Sequence, residues 1–227
     1  MFEIIHPSQL AQDPFFRDII TFLLESPNQT LRAIKKAFPD QKQLDRQLDR
    51  FIDAGYILRA QKRYQANIPW LTSLDGLALD QELFIPETFA FKEALADLRF
   101  ETRLTNQTNA VVLCEETDIR REALTLANFF AKANSPQQLT QAQQRLYDLL
   151  GDVNPEYALK YLTTFLVKFV RKEVVLQKRP DIFVQALVAL GYIKEIEPNR
   201  YSLLMTLDKE QLVFTAPALA ADGQVDS

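Results

Sequence analysis

Six basic residues in the first third of the chain have the types and the spacing of a phosphate-binding surface. They are Lys42, Arg46, Arg50, Arg59, Lys62 and Arg63. The first three fall four positions apart, so a helix would carry them on one face, and the other three surround the tip of a predicted hairpin. Because Lys and Arg supply most of the sequence-independent affinity for nucleic acids, this pattern predicts contact with the phosphates of DNA.

An acidic strip on the same predicted helix opposes that interpretation. Asp45, Asp49 and Asp53 are also four positions apart and lie on the adjacent strip, where they would repel phosphate. They would also neutralise the arginines through ion pairs between neighbouring turns, and a solvated, salt-bridged helix face needs no ligand. DNA binding and a plain solvent-exposed helix therefore both stay open.

The residue types that most enzymes and metal sites require are scarce. His6 is the only histidine and Cys114 the only cysteine, so the chain has no set of ligands with the spacing of a zinc site. Nucleophilic catalysis would have to rely on His6 beside the N-terminus. The five glycines are scattered and build no phosphate-binding loop. We therefore predict a non-enzymatic protein without a metal, a cofactor or a small-molecule ligand.

The densest acidic cluster is Glu115-Glu116-Thr117-Asp118, whose carboxylates could bind a divalent cation. A helix is predicted to start near Ile119, and acidic residues just ahead of a helix cap its N-terminus and offset its dipole. We favour the capping role over the metal site. Cys114 ends an apolar run and is predicted to be a small buried residue rather than a reactive thiolate.

Apolar periodicity predicts the framework that carries the basic residues. The predicted elements are helices over 14–25, 31–38 and 41–54 and a hairpin with strands at 56–58 and 64–66. Three helices followed by a hairpin are typical of the winged variant of the helix-turn-helix. We predict an N-terminal winged-helix-like module over residues 1–68.

The ending of this module recurs near the other end of the chain. Gly55-Tyr56-Ile57 aligns with Gly191-Tyr192-Ile193, and Arg63-Tyr64 aligns with Arg200-Tyr201 one residue further along. The repeat predicts a second winged-helix-like module over residues 155–216.

The second module differs from the first in the helix that precedes its hairpin. This predicted helix, residues 181–190, is apolar on every side and has no basic residue after Arg179. Such a helix is buried, either in its own core or against a partner, and it cannot read a DNA groove. We therefore predict that the second module is a packing or protein-contact unit.

The segment between the modules is acidic, with thirteen acidic and seven basic residues in 69–154. It is predicted to be a helical connector with one possible hairpin, and residues 217–227 are predicted to be a mobile tail. The predicted fold is mostly α within the α+β class, with two winged-helix-like modules joined by this helical connector.

The location of the protein is predicted from its single cysteine and its N-terminus. A lone cysteine cannot form an internal disulfide and suits a reducing compartment. The N-terminus lacks the pattern of a secretion signal, and no segment reaches the roughly 18 apolar residues that span a bilayer. We expect a cytoplasmic protein with no membrane contact.

The motifs taken in chain order resemble a known protein family. They are HPSQL followed by DPFF, then AGYI followed by RY, and finally KRP, LGYI and RY. The pattern is similar to an uncharacterised "domain of unknown function" family of Gram-positive lactic-acid bacteria, and the likeness runs over most of the chain. The resemblance brings no catalytic motif and implies no function.

Two functions of different class follow from these observations. The favoured one is a protein-interaction or accessory module of winged-helix shape, because the net charge is −4 and the second module is apolar. It implies a protein partner or self-association. The alternative is a DNA-binding transcriptional regulator that uses the basic face of the N-terminal module.

Overall fold

The fold is that of a computed structural model, which describes residues 2–133 and 138–219. These residues form eight α-helices and four β-sheets, with 36% of the chain in helices and 23% in strands. The mostly α prediction is therefore wrong, and the fold is α+β. None of the helices in the described ranges has the length and apolar character needed to cross a membrane. Contacts divide the chain into two units, Met1–Leu95 and Ala96–Ser227.

The N-terminal unit combines helices with two small sheets. In chain order its elements are β1 (Phe2–Ile5), α1 (Pro14–Glu25), β2 (Gln29–Thr30), α2 (Leu31–Ala37), α3 (Leu44–Asp53), β3 (Ile57–Ala60), β4 (Arg63–Ala66), β5 (Leu83–Pro86) and α4 (Lys92–Ala96), which ends at the boundary with the second unit. β1 pairs antiparallel with β5, and β2, β4 and β3 form an antiparallel sheet with β4 in the middle. The three predicted helices and the predicted hairpin are present, but α3 begins at Leu44 and not at residue 41, so Lys42 lies just before the helix. The strands β1, β2 and β5 are additional.

Aromatic packing holds α1 against α3. Asp13 caps the first turn of α1, and Pro14 follows it, where a missing N–H leaves no hydrogen bond unmade. Phe16 of α1 is fully buried and meets Phe51 of α3 edge to face, with the ring centroids 5.2 Å apart. Tyr56 lies against the same Phe16 ring at 5.0 Å. This packing determines which side of α3 faces the solvent.

The C-terminal unit contains two further sheets. In chain order its elements are β6 (Arg99–Leu104), β7 (Val112–Asp118), α5 (Leu126–Lys132), α6 (Gln141–Leu150), α7 (Pro155–Leu166), β8 (Val174–Leu176), α8 (Ile182–Ala189), β9 (Ile193–Glu197), β10 (Arg200–Leu203), β11 (Thr206–Asp208) and β12 (Val213–Thr215). β8, β10 and β9 form an antiparallel sheet with β10 in the middle. The other sheet has the order β11-β12-β7-β6, and β12 runs parallel to β7.

The apolar helix α8 is buried on one face only. It packs against α6 and α7. Its buried residues are Phe183, Val184, Ala186 and Leu187. Ile182 and Val188 instead keep 49% and 39% of their surface exposed. The helix α8 therefore exposes part of its apolar surface to the solvent.

Both units contain the same turn between a helix and a hairpin. Gly55 after α3 and Gly191 after α8 have φ angles of 83° and 71°, a region that glycine enters without strain. The N–H of the following residue, Tyr56 or Tyr192, bonds in each case to the carbonyl five residues earlier, which is the pattern of a Schellman C-cap. The extra residue of the second copy is taken up by a register shift at Arg200/Tyr201. The sequence repeat is therefore also a structural repeat.

The region predicted to be a helical connector mixes strands with helices. Residues 69–154 contain β5, β6 and β7 besides α4, α5 and α6, and the boundary between the units falls among them, after Leu95. The prediction of a helical connector is therefore wrong, whereas the hairpin predicted within it is present as β6 and β7. Residues 134–137 of this region and residues 220–227 of the predicted mobile tail lie outside the described residues.

Candidate nucleic-acid interface

The packing of α3 decides which of its side chains are available to a ligand. Leu44, Leu48 and Phe51 are buried against the N-terminal core. Arg46 and Arg50 therefore lie on the exposed side of the helix. Gln43, the N-cap residue, has a left-handed backbone and makes no capping bond with its side chain, while Asp45 in the first turn offsets the helix dipole.

Three of the six predicted basic residues line one shallow cavity. Lys42, Arg46 and Arg50 share a cavity of about 310 Å³ with the amide side chains of Gln43 and Gln47. Among the residues that the structure describes, no carboxylate lines this cavity. Three cations that line one concave surface form a site that attracts anions.

The acidic strip does not neutralise these cations in the way the sequence suggests. Asp45 forms a salt bridge with Lys35 of α2, with 2.8 Å between Lys35 Nζ and Asp45 Oδ2. Within the described residues, no carboxylate forms a salt bridge with Arg46 or Arg50. Arg46 also lines a neighbouring cavity of about 560 Å³ that includes Asp45. In the described part of the chain, Asp45 is therefore the acid of the strip that forms a salt bridge, and its partner lies on α2 and not on α3.

The three basic residues of the hairpin are exposed but differ in their freedom. The turn between β3 and β4 is Gln61-Lys62, both with positive φ, which is typical of a tight two-residue hairpin turn. The guanidinium of Arg59 stacks 5.4 Å from the centroid of the Tyr64 ring. Arg63 Nη1 donates to the Asn28 carbonyl over 3.2 Å. Arg59 and Arg63 are therefore held by contacts within the protein, whereas Lys62 lies at the tip of the hairpin.

The acidic cluster in the C-terminal unit stabilises the fold. Glu115 is only 1% exposed and accepts hydrogen bonds from the backbone N–H groups of Leu126 and Ala127, over 3.1 Å and 2.9 Å, and from the hydroxyl of Tyr192. Burial raises the pKa of Glu115, although these hydrogen bonds oppose the shift. Glu115 thus binds the first N–H groups of a helix, but this helix begins at Leu126 and not near Ile119, and its N-cap residue is Thr125.

Asp118 is the centre of a second hydrogen-bond network in the same region. Its carboxylate accepts from the N–H groups of Glu122 and Ala123 and from the Asn128 amide. Burial would raise the pKa of Asp118, but these hydrogen bonds outweigh it and the pKa lies below its ordinary value. The fully buried Gln143 donates to the carbonyl oxygens of residues 121–123. These contacts shape the loop before α5.

No metal site accompanies these carboxylates. In residues 2–133 and 138–219, no three His, Cys, Asp or Glu side chains come together as metal ligands would. Cys114 is buried, as its place in an apolar run predicts, and burial raises the pKa of its thiol. A raised pKa keeps the thiol protonated and unreactive.

Sequence reasoning missed the tyrosine that meets a glutamate in each unit. Tyr192 bonds to Glu115, and the Tyr56 hydroxyl donates to Glu82 over 2.5 Å. The two tyrosines occupy the same position in the Gly-Tyr-Ile repeat. That repetition is the one signal in the sequence that could have singled out the two tyrosines. No sequence pattern around Glu82 or Glu115 identifies these glutamates as their hydrogen-bond partners.

Comparison with known proteins identifies part of the chain. No curated protein and no solved structure is significantly similar to it, so known folds lend no support to the winged-helix assignment of the two modules. The bacterial source and the extension of the resemblance over most of the chain stay predictions. Residues 3–98 match a family whose description is "Domain of unknown function (DUF1803)", and this segment nearly coincides with the N-terminal unit.

Proposed function

We propose that the N-terminal unit binds the phosphate backbone of DNA through the exposed face of α3. The observation that carries the proposal is the cavity lined by Lys42, Arg46 and Arg50 without a carboxylate. Segment 28–66, which contains it, has nine basic and four acidic residues although the whole chain is acidic. A local excess of positive charge on one helix and one hairpin tip is the electrostatic footprint of a nucleic-acid-binding surface.

The hairpin adds a second group of phosphate contacts in this proposal. Lys62 at the turn is the most available of its cations, because Arg59 and Arg63 already have contacts within the protein. Arg59 and Arg63 remain charged and exposed, so they contribute long-range attraction. We expect α3 to carry most of the binding energy and the hairpin to contribute less.

The test measures binding of the purified full chain to a fluorescently labelled, mixed-sequence DNA duplex over a series of salt concentrations. Each phosphate contact contributes about −0.9 to the slope of log K against log salt, so Lys42, Arg46 and Arg50 together predict a slope of about −2.7 or steeper. The double variant Arg46→Gln/Arg50→Gln should reduce the magnitude of the slope by about 1.8.

A matched control separates this interface from general charge effects. Lys92→Gln removes one exposed positive charge from α4, outside the proposed surface, and should leave the slope unchanged. Asp49→Asn, which removes a negative charge beside Arg50, should strengthen binding. Absence of binding at low salt, or an equal loss in the double variant and the Lys92 control, would overturn the proposal.

A second proposal concerns the C-terminal unit, for which a protein contact is supported by exposed aromatic surface. Tyr157 and Tyr161 of α7 are 51% and 37% exposed, and Tyr161 stacks on Phe183 with ring centroids 5.0 Å apart. Ile182, which is 49% exposed, is the neighbour of Phe183 in the chain. Tyrosines beside exposed aliphatic surface are typical of the centre of protein interfaces.

Sedimentation velocity over a wide concentration range tests this second proposal for contact between copies of the chain. Self-association that Tyr161→Ser abolishes and Leu204→Ser preserves would support it, because Leu204 is similarly exposed at 43% but lies after β10. A monomer at every concentration, with no protein retained by the immobilised chain, would overturn it. Neither proposal involves catalysis. We further propose that the protein works in the cytoplasm, where the thiol of Cys114 would stay reduced.

A further inference from the structure

A cavity in the C-terminal unit has the size of a small-molecule site. It measures about 470 Å³ and lies between the segment 169–173 and the segment 202–209. Sites for small molecules occupy roughly 300–1,000 Å³. None of the residues around it belongs to the surfaces proposed above.

The rim of this cavity carries an excess of positive charge. Arg171, Lys172 and Lys209 line it, and Glu173 is the one acidic residue among its lining side chains. None of the three cations forms a salt bridge with a carboxylate of the described chain. Counting three positive charges and one negative charge, the rim has a net charge of +2.

A buried hydroxyl group of the same cavity has no partner. Ser202 lines the cavity from β10, the middle strand of its sheet. Over the described residues, its Oγ is the one buried side-chain nitrogen or oxygen without a hydrogen bond. A buried hydroxyl without a partner is unfavourable by about 1–3 kcal/mol. The hydroxyl hydrogen can rotate about the Cβ–Oγ bond, and donating it to an anion would break no hydrogen bond in the protein.

The floor of the cavity is apolar. Phe169 and Met205 line it and are 4% and 6% exposed, and Leu207 adds a partly buried aliphatic side chain. A ligand for this cavity therefore needs an apolar body as well as a negative group. Methionine and phenylalanine together suit a flat ring.

We propose that this cavity binds a phosphate monoester of an apolar, ring-sized group. A phosphate monoester carries a charge of about −1.5 to −2 at pH 7, which matches the net charge of the rim. Arg171 and Lys209 hold the phosphate, Ser202 donates a hydrogen bond to it, and the apolar body rests on Phe169 and Met205.

Phenyl phosphate is the probe, titrated into the isotope-labelled full chain while amide resonances are followed by NMR. The expected result is a saturable shift of the Ser202 and Leu203 amides. Phenol and inorganic phosphate each carry one half of the ligand and should bind at least tenfold more weakly. Equal affinity for inorganic phosphate would overturn the apolar half of the proposal, and equal affinity for phenol would overturn the ionic half.

Charge reversal at the rim locates the bound phosphate. Lys209→Glu should weaken phenyl phosphate binding by about tenfold or more, because it replaces an attraction by a repulsion. Lys178→Glu reverses an exposed lysine of the same unit that does not line the cavity, so it is the matched control. Equal affinities in these two variants would overturn the site.

Ser202→Ala separates a ligand-binding role from a structural one. The hydroxyl has no partner in the protein, so its removal should leave the free energy of unfolding unchanged or increase it. Affinity for phenyl phosphate should fall roughly threefold to tenfold, as for the loss of one hydrogen bond. A stable variant with unchanged affinity would show that Ser202 does not contact the phosphate.

Discussion

Replacing Tyr192 by Phe would remove the hydroxyl donor from the buried carboxylate of Glu115. The two backbone donors, of Leu126 and Ala127, would remain. The chain contains a natural control, because Tyr56→Phe removes the corresponding hydroxyl from Glu82 in the other unit. The two substitutions delete the same atom from the same position of a repeated motif. They differ in the burial of the hydrogen bond to the glutamate, and Tyr56→Phe also removes a contact of 3.1 Å with the Ser8 hydroxyl.

The expected losses of stability follow from that difference. Tyr192 and Glu115 are 2% and 1% exposed, so water cannot replace the lost donor. A hydrogen bond to a charged group contributes about 1.5–3 kcal/mol, and we expect Tyr192→Phe to lower the free energy of unfolding by about 2 kcal/mol. Tyr56 and Glu82 are only half-buried, and water can take the place of the hydroxyl. We expect Tyr56→Phe to lower the free energy of unfolding by about 1 kcal/mol or less.

Urea unfolding measures both values. Far-UV circular dichroism follows the whole chain, while fluorescence of Trp70, the single tryptophan, follows the N-terminal unit in which it lies. Stability is compared from transition midpoints at unchanged m-values, because a change in m would mean that the unfolded state had changed. Equal losses in the two variants, or a larger loss in Tyr56→Phe, would refute the argument that burial determines the strength of these bonds.

Four further predictions concern stability. Burial raises the folded-state pKa of Glu115, so the contribution of Glu115 to stability is complete below the unfolded pKa near 4.5 and is lost as pH rises through the folded pKa. In urea titrations, the stability of the wild type relative to Glu115→Gln should therefore fall with rising pH. A rise with pH would contradict the pKa shift. Gly55→Ala and Gly191→Ala should each lower the free energy of unfolding by about 1 kcal/mol, measured by thermal unfolding. No atom lies within 4 Å of the added methyl group, so the loss would come from the positive φ of both residues. Unchanged melting temperatures would exclude that backbone strain. Thr140→Ala removes the capping box of α6 and should lower the free energy of unfolding, measured by chemical denaturation, by about 1 kcal/mol. An unchanged free energy of unfolding would mean that water replaces the cap. Phe16→Ala should lower the free energy of unfolding by about 3–5 kcal/mol, so Trp70 fluorescence should report unfolding at a lower urea concentration. A smaller loss would mean that the core collapses around the gap left by the ring.

The helices of the N-terminal unit were predictable because their ends carry local signals. Asp13 and Pro14 mark the start of α1, and Ser26-Pro27 marks its end. The strands β1 and β5 have no such signal. β1 has Glu3 among three apolar residues, and β5 is a four-residue apolar run. Segments this short cannot be assigned by periodicity, and each is a strand only because it pairs with a segment about 80 residues away.

The helical content of the middle region was overestimated for a physical reason. In the stretch 119–125, Ile119 and Ala123 have helical spacing. The backbone of this stretch nevertheless donates to Asp118 and accepts from Gln143 instead of forming a helix. Gln143 lies about twenty residues further along the chain, so no local window contains both partners. Tertiary hydrogen bonds therefore start α5 at Leu126.

The basic face of α3 was visible in the sequence, but its electrostatic state was not. Spacing places Lys42, Arg46 and Arg50 together, and the cavity they share agrees with that expectation. Spacing also places Asp45 on an adjacent strip, and only the fold reveals that Asp45 is paired with Lys35 of the preceding helix. Helical periodicity identifies the charges on a face, whereas the neighbouring elements decide which of them remain available.

The parallel pairing of β12 with β7 has a consequence for synthesis on the ribosome. Val112, Leu113 and Cys114 find their partners in residues 213–215, which are translated much later. The N-terminal unit closes its last strand pair with β5 at Pro86 and can fold while the second unit is still incomplete. Until β12 emerges, one edge of β7 stays open in the nascent chain, with an apolar sequence that is prone to pair with other chains. Slower translation after residue 118 would prolong that exposure, so this edge is where a chaperone would have most to protect.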